Sequence, residues 1–266
     1  MILKRPAELD IMAESAQITR EALDLVGEAV SVGITTNELN KIAEDAIISR
    51  GGKPAWLGYG GFPATLCTSI NEVVVHGIPE NRALADGDVI SIDIGSFYRG
   101  YASDMARTYL VGNVSSDLRR MVEQTERSLI AGIAAAQAGA RLGDISAAIQ
   151  GVVEQAGYWV VREFVGHGIG RDIHEGPEVP NYGRAGSGPI LRPGLVLAIE
   201  PMVTLTRTRV EVANDGWTAF TADGSYAAHV EHTVAITDNG PRVLTDSQDL
   251  AATQAVQAYI GGVHGA

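Results

Sequence analysis

The stretch Gly87-Asp88-Val89-Ile90-Ser91-Ile92-Asp93 predicts a buried strand that ends on an acid, and the chain contains a second version of it. The second version, Gly194-Leu195-Val196-Leu197-Ala198-Ile199-Glu200, lies 107 positions later (194 − 87) and also ends on an acid. Gly51, which ends a predicted helix, matches Gly157 at an offset of 106 (157 − 51). Alternating helices and strands make any two halves look alike. We nevertheless interpret the nearly constant offset between matching positions as a duplicated helix–helix–strand unit. It predicts an α+β fold with pseudo-twofold symmetry and a site between the halves.

Hydrophobic periodicity and capping signals predict the other elements. Helices are predicted over residues 7–31, 35–51, 116–137 and 143–156, and strands over 64–75, 88–96, 101–111, 195–203, 209–213, 217–221 and 229–237. We treat residues 1–266 as a single domain, with halves at approximately 1–113 and 114–250 and a C-terminal tail at 251–266.

Composition argues against several classes of protein. The formal net charge of −12 argues against a nucleic-acid-binding surface, because phosphate binding needs clustered Lys and Arg. The single cysteine, Cys67, excludes an intrachain disulfide and a cysteine-based zinc site. No apolar run reaches transmembrane length, and the first residues lack the apolar core of a signal peptide. We therefore expect no membrane association and a cytoplasmic location.

Acidic residues are paired across two predicted hairpins. A hairpin centred between Tyr98 and Arg99 would place Asp93 directly opposite Asp104 on neighbouring strands. Like charges at opposed positions destabilise a strand pair, so we expect a cation between them. A second hairpin, centred on the turn signal Asp215-Gly216, would place Glu200 opposite Glu231 in the same way.

The four carboxylates predict a metal centre. Without a cation their repulsion would force at least one to hold a proton, whereas two divalent ions would almost cancel their charge. A donor set of oxygens with at most one imidazole favours manganese, iron or cobalt over a thiolate-type zinc site. The alternative is a ladder of surface salt bridges, but the neighbours of these acids are small or apolar and no base lies beside them.

Three histidines in predicted loops rich in Gly and Pro extend the candidate site. His167 lies within Gly166-His167-Gly168-Ile169-Gly170, His174 follows it, and His76 precedes Gly77-Ile78-Pro79. Each alone is more often a structural histidine than a ligand, but their grouping with four paired acids favours function. We interpret His229 and His232, which flank Glu231, as structural.

The chain resembles the type I methionine aminopeptidases over most of its length. The matching motifs are Leu57-Gly58-Tyr59, Ser69-Ile70-Asn71-Glu72-Val73-Val74-Val75-His76-Gly77-Ile78-Pro79, Asp93, Asp104, Gly166–Gly170, His174-Glu175, Ile199-Glu200-Pro201, Asp215-Gly216-Trp217-Thr218 and Glu231-His232-Thr233. The resemblance implies the pita-bread fold, in which two related halves surround a dinuclear metal site, and a single catalytic domain. It also implies two divalent ions (Co, Mn or Fe) and removal of the N-terminal methionine from proteins.

The resemblance also implies roles for individual residues. Asp104 and Glu231 would bridge the two metals, Asp93 would bind one of them, and His167 with Glu200 would bind the other. A metal-bound water or hydroxide would attack the first peptide carbonyl, with Glu200 as a proton shuttle. His174 would stabilise the developing charge, and His76 would hydrogen-bond the substrate backbone. Tyr59, Cys67 and Trp217 match positions that line the methionine pocket, although Trp217 also fits a core-packing role.

The chain departs from the family pattern mainly at that pocket. Trp56 stands where a cysteine is common, Gly60 where a histidine is common, and Ile173 where an aromatic residue is common. These changes affect the shape of the pocket, and the presumed metal ligands show no departure.

The resemblance implies nascent polypeptides as substrates, with a small residue after the methionine. It is compatible with transient association with the ribosome, although no basic patch argues for it, and a monomer is expected. One alternative is an Xaa-Pro peptidase of the same fold, which usually carries a large additional N-terminal domain. The other is a binding protein without catalysis, which would have lost metal ligands.

Overall fold

The structure, a computed structural model, describes residues 1–246 and 251–263. The first half of the chain contains two helices and five strands: α1 (Pro6–Ala29), α2 (Thr36–Ser49), β1 (Lys53–Pro54), β2 (Leu66–Ile70), β3 (Val73–Val75), β4 (Val89–Tyr98) and β5 (Tyr101–Leu110), with a 3₁₀ turn at Tyr59–Gly61. Helix α2 begins as predicted at a capping box. The Glu38 amide donates to Thr35 Oγ1 over 3.2 Å, and the Thr35 amide donates to Glu38 Oε2 over 2.8 Å.

In the part of the second half that the structure describes, there are three helices and ten strands. They are α3 (Ser116–Ala135), α4 (Leu142–Gln155), β6 (Trp159–Val160), β7 (Gly166–Gly168), β8 (Glu175–Val179), β9 (Val196–Ile199), β10 (Met202–Thr204), β11 (Val210–Val212), β12 (Ala219–Thr221), β13 (Ala227–His229), β14 (Glu231–Thr237), β15 (Gly240–Val243) and α5 (Ala251–Val263). Helix α5 lies within the predicted tail, whose last three residues, 264–266, lie outside the described residues.

The predicted repeat is present in the structure. Helix α4 follows α2 at the same offset of 106 that the sequence shows (142 − 36), and the short strands β1 and β6 are equally spaced. Gly51 and Gly157 end the two helices in the left-handed region, with φ of 78° and 88°. Each half therefore uses the same helix stop, where a residue with a Cβ would be strained.

The main sheet packs one face against the helices. Its strand order is β1-β4-β5-β14-β9-β7-β8, with β2 paired to β4 and β15 paired to β14. Ile92 and Ile94 of β4 pack against α1 and α2, and Leu197 of β9 packs in the equivalent cluster with α3 and α4. Successive side chains of a strand point to opposite faces, so Asp93 faces away from the helices.

The predicted register of the first hairpin is wrong by two residues. Tyr98 pairs with Tyr101, so Asp93 lies opposite Ala106 and Asp104 lies opposite Gly95. The loop is the two residues between those tyrosines, and both have positive φ (49° and 80°), as a type I′ turn requires. A shift of two residues conserves the face, so the two aspartates still share one side of the sheet as diagonal neighbours.

The predicted register of the second hairpin is confirmed. Val212 pairs with Ala219 around the turn at Asp215-Gly216, and the same register continues through Met202 with His229 to Ile199 with His232. Glu200 follows β9 and Glu231 begins β14, so the two acids occupy opposed positions at the end of the β9–β14 pairing.

The prediction that His167 lies in a loop is wrong, because it is the middle residue of β7. This strand has no apolar pattern of its own and exists because it pairs with both β8 and β9. The sequence also did not predict the short strands β1, β6, β8 and β15. Within residues 1–246 and 251–263, no helix combines the length and the apolar character needed to cross a membrane.

Candidate metal centre

Four carboxylates meet on the inner face of the sheet, each from a different strand or strand end. Asp93 comes from β4, Asp104 from β5, Glu231 from the start of β14 and Glu200 from the residue after β9. Asp104 and Glu231 are 1% and 2% exposed, and Glu200 has 12% of its side chain exposed. The sheet order places their strands in one continuous run, so the acids converge although they are far apart in sequence.

His167 completes this cluster from the neighbouring strand. Its Nδ1 lies 2.9 Å from the Gly168 carbonyl oxygen, which can only accept, so the other ring nitrogen is left as a potential ligand. That nitrogen, Nε2, lies 3.4 Å from Glu200 Oε1. His167, Asp104 and Glu231 each offer a ligand atom, and these three atoms lie within 4.8 Å of one another.

Burial shifts the protonation equilibria of the whole cluster. It raises the pKa of Asp93 to about 6. Burial, with repulsion from the neighbouring carboxylates, raises the pKa of Asp104 and of Glu231 well above the ordinary range. Burial also raises the pKa of Glu200 well above the ordinary value. It lowers the pKa of His167 to about 3, because it disfavours the charged form of every group.

These residues fit a divalent metal site. Glu231 Oε1 and His229 Nε2 are buried and have no hydrogen-bond partner among the described residues. Orphaned polar atoms of this kind are rare in folded proteins, and a cluster of protonated or repelling acids is costly. Carboxylate oxygens with one or two imidazoles are suitable donors for Mn²⁺, Fe²⁺ or Co²⁺, which would relieve both costs.

A small cavity of about 110 Å³ opens onto the cluster. It brings together the five predicted ligands, Asp93, Asp104, His167, Glu200 and Glu231, with His76 and His174, and its other lining residues are Trp56, Val75, Phe164, Val165 and Met202. The predicted pocket residues Tyr59, Cys67 and Trp217 are not in this lining but lie around it.

His174 and His76 are held by aromatic neighbours. The His174 ring lies 4.2 Å from the His167 ring, and its Nδ1 is 2.7 Å from the Tyr59 hydroxyl. The His76 ring meets Trp217 edge-on at 6.1 Å, in a backbone conformation with φ of 60°. Burial lowers the pKa of His76 to about 4 and also lowers that of His174, so both rings are neutral at pH 7.

Cys67 lies beside the cluster and is 1% exposed. It pairs with Asp93 across β2 and β4. Burial, followed by the nearby carboxylates, raises the pKa of its thiol well above the ordinary value. The thiol is therefore neutral, and it provides an apolar wall rather than a charge.

Sequence reasoning missed several residues at the site. His229, interpreted as structural, has its Nε2 3.6 Å from Glu200 Oε2, whereas His232 lies on the helix side with its Nδ1 2.8 Å from Thr245 Oγ1. His229 and Glu231 are residues i and i+2 of an extended segment. Because side chains two apart in a strand point to the same face, this spacing could have indicated that His229 faces the acids. Trp56, noted only as a departure, donates its indole N–H to Asp93 Oδ1 over 3.2 Å.

Comparisons with known proteins agree on one family. The model of metallopeptidase family M24 matches residues 10–238. Methionine aminopeptidase from Clostridium perfringens is 51% identical over 92% of this chain and 98% of its own length. Methionine aminopeptidase 1 from Bacillus subtilis is 49% identical over 92% of this chain and 99% of its own.

Solved structures agree with the sequence matches. Methionine aminopeptidase from Thermotoga maritima superposes with a TM-score of 0.91 and 42% identity, over 93% of this chain and all of that one. Prolidase from Pyrococcus furiosus shares the fold, with a TM-score of 0.75 and 23% identity. The match covers 93% of this chain and 66% of the prolidase chain.

Proposed function

This chain belongs to the type I methionine aminopeptidases of metallopeptidase family M24 and has their pita-bread fold, and we propose that it removes the N-terminal methionine from nascent proteins whose second residue is small. The observation that carries the proposal is the convergence of four buried carboxylates and His167 on one small cavity. The 51% identity to a methionine aminopeptidase, against 23% to a prolidase, favours methionine over an Xaa-Pro substrate.

The five clustered residues would hold two divalent ions, for which Mn²⁺, Fe²⁺ and Co²⁺ are the candidates. Asp104 and Glu231 would be shared between the ions, Asp93 would hold one, and His167 with Glu200 would hold the other. When bound, the ions supply Lewis acidity, which polarises the scissile carbonyl and makes an oxygen nucleophile available at neutral pH. The proximity of Asp104, His167 and Glu231 ligand atoms supports this arrangement.

Glu200 would move the proton that the reaction transfers. Its carboxylate lies between two imidazoles, with His167 Nε2 at 3.4 Å and His229 Nε2 at 3.6 Å. In the metal-free cluster, burial raises the pKa of this carboxyl. A protonated Glu200 could then deliver that proton to the leaving amine.

The neutral histidines would bind the reacting peptide. With the Tyr59 hydroxyl as the donor to His174 Nδ1, the proton of this ring would reside on Nε2, which would donate to the developing oxyanion. His76 would hydrogen-bond the substrate backbone near the scissile nitrogen. Tyr59, Cys67 and Trp217 would surround the methionine side chain, and the edge-on packing of Trp217 on Phe62 at 5.2 Å supports a rigid wall.

The proposed partners follow from the substrate. Nascent polypeptides are made in the cytoplasm, so we place the enzyme there, acting as a monomer in transient contact with the ribosome.

Peptide hydrolysis by chelator-stripped protein tests the function, with and without added Mn²⁺ or Co²⁺. The substrates are Met-Ala-Ser, Leu-Ala-Ser, Ala-Pro and N-acetyl-Met-Ala-Ser. We expect metal-dependent release of methionine from the first peptide alone, because the others lack the methionine side chain or the free amine. Cleavage of Ala-Pro would indicate an Xaa-Pro peptidase, and no cleavage despite bound metal would indicate a binding protein.

A further inference from the structure

Trp56 is a buried side chain that connects the metal centre to the substrate-binding histidines. It lies between β1 and the 3₁₀ turn and is 4% exposed. Its indole Nε1–H donates to Asp93 Oδ1 over 3.2 Å. Its ring packs at 5.6 Å from the ring of His174 and at 6.3 Å from that of His76.

The main chain around Trp56 is anchored to the strand that carries Asp93. Pro54 pairs with Ser96 of β4, and the Ala55 amide donates to the Gly95 carbonyl over 3.0 Å. A Cβ added at Gly95 would lie 3.0 Å from Ala55 Cβ, so the two segments are in close contact. The indole is therefore fixed relative to Asp93 by backbone pairing and by packing on both sides.

The chemistry of the indole makes this contact directional. An indole N–H donates and has no acceptor function, so it stabilises the carboxylate form of Asp93. A hydrogen bond to one oxygen also restricts rotation of the carboxylate. Hydrogen-bonded partners of metal ligands orient them, and removing such a partner typically costs 10- to 100-fold in metal affinity.

We propose that Trp56 is a positioning residue that holds Asp93 ready for one of the two divalent ions through its indole N–H. The inference rests on the proposed function, because it takes Asp93 as a ligand. Trp56 acts through Asp93, and its ring separately provides part of the cavity wall.

The matched pair of variants is Trp56→Phe and Trp159→Phe. The first keeps an aromatic wall, removes the N–H donor and leaves a smaller ring. The second makes the same change at a tryptophan that is 39% exposed and packs against Arg207 at 5.5 Å. Calorimetric titration of chelator-stripped protein with Mn²⁺ measures metal affinity without any turnover, and an Asp93→Asn variant identifies the binding step that depends on this aspartate.

In Trp56→Phe we expect the Mn²⁺ affinity of the Asp93-dependent binding step to fall by about 10- to 100-fold. The affinity of the other binding step should be unchanged. Trp159→Phe should bind like the parent protein. Thermal unfolding of each metal-free variant checks that the fold is retained. A Trp56→Tyr variant, which keeps an aromatic ring with an O–H donor, keeps the test available if Trp56→Phe proves unstable, and it should retain more affinity than a variant without a donor.

Three results would overturn the inference, and two of them leave the proposed function intact. Equal affinity in Trp56→Phe and the parent, or equal weakening of both steps, would show that the indole does not position Asp93. Absence of binding of both Mn²⁺ and Co²⁺ by the parent protein would overturn the inference together with the proposed metal centre.

Discussion

Lys4 and Glu175 form an ion pair that is almost completely buried. Their Nζ and Oε2 atoms are 2.5 Å apart, and the two side chains are 3% and 4% exposed. Glu175 Oε1 also accepts from the Arg171 amide over 2.8 Å. A Cβ at Gly170 would lie 2.3 Å from Lys4 Cε, so the pair fills space that only a glycine leaves open.

We predict that Lys4→Met destabilises the protein by about 3 kcal/mol. Methionine is an unbranched side chain like lysine but carries no charge. Its introduction would leave the Glu175 carboxylate buried, with the Arg171 amide as its remaining hydrogen-bond donor. Breaking a buried pair by removing one partner costs about 3–5 kcal/mol, and the Arg171 amide places this case at the lower end. Unfolding entropy of about 2.1 cal/mol/K per residue over 266 residues converts this to a Tm lower by about 5 °C.

Differential scanning calorimetry of the metal-loaded protein measures the change. Lys41→Met is the matched control, because Lys41 pairs with Asp45 at 2.6 Å but both side chains are more than 60% exposed (65% and 63%). That variant should unfold at nearly the same temperature as the parent protein, because solvent screens an exposed ion pair. The double variant Lys4→Met/Glu175→Gln, which removes both charges, should recover most of the loss. A loss below about 1 kcal/mol in Lys4→Met, or no recovery in the double variant, would refute the reasoning.

Three further predictions concern the metal centre and its surroundings. Asp104→Asn should abolish turnover and bound-metal stoichiometry together, as measured by elemental analysis and methionine release, and retained activity would contradict the shared-ligand role. In the metal-free protein, three carboxylates have pKa values raised well above normal, so the folded state keeps protons that the unfolded chain loses. Unfolded histidines have a pKa of about 6.5 and are mostly neutral only above about pH 7.5, so stability should fall as the pH rises from about 7.5 to about 8.5, by up to about 1.4 kcal/mol per unit for each proton held. Excess Mn²⁺ should abolish this slope in thermal unfolding curves, and an unchanged slope would argue against metal at the carboxylates. Ile173→Phe should cost about 1–3 kcal/mol in thermal unfolding, because Ile173 is 2% exposed in the cluster that contains Trp56, whereas Ile173→Leu should cost less than about 1.5 kcal/mol. Equal stability of the two Ile173 variants would show that this wall has room for a ring.

Local signals in the sequence determined the helices and the repeat. The reciprocal hydrogen bonds of Thr35 and Glu38 involve residues three apart, and the glycine stops at Gly51 and Gly157 are single-residue effects. Such interactions need no distant partner, so a sequence pattern can predict them. The sequence also identified the acids that the structure brings together, because strand alternation and hairpin symmetry depend only on position along the chain.

Tertiary structure decided the features that depend on strands far apart in sequence. The observed register of the first hairpin differs from the predicted one by two residues, because Arg99 and Gly100 together form the turn. The position of that turn is determined by the pairing of ten residues of β4 with ten of β5. Strand β7 forms only through its neighbours, and the hydrogen bond from Trp56 to Asp93 joins residues 37 positions apart. The raised pKa values of the acids arise from burial, which exists only after both halves have packed. Residue identity therefore determined the candidate ligands, and convergence in a low-dielectric interior determined their protonation.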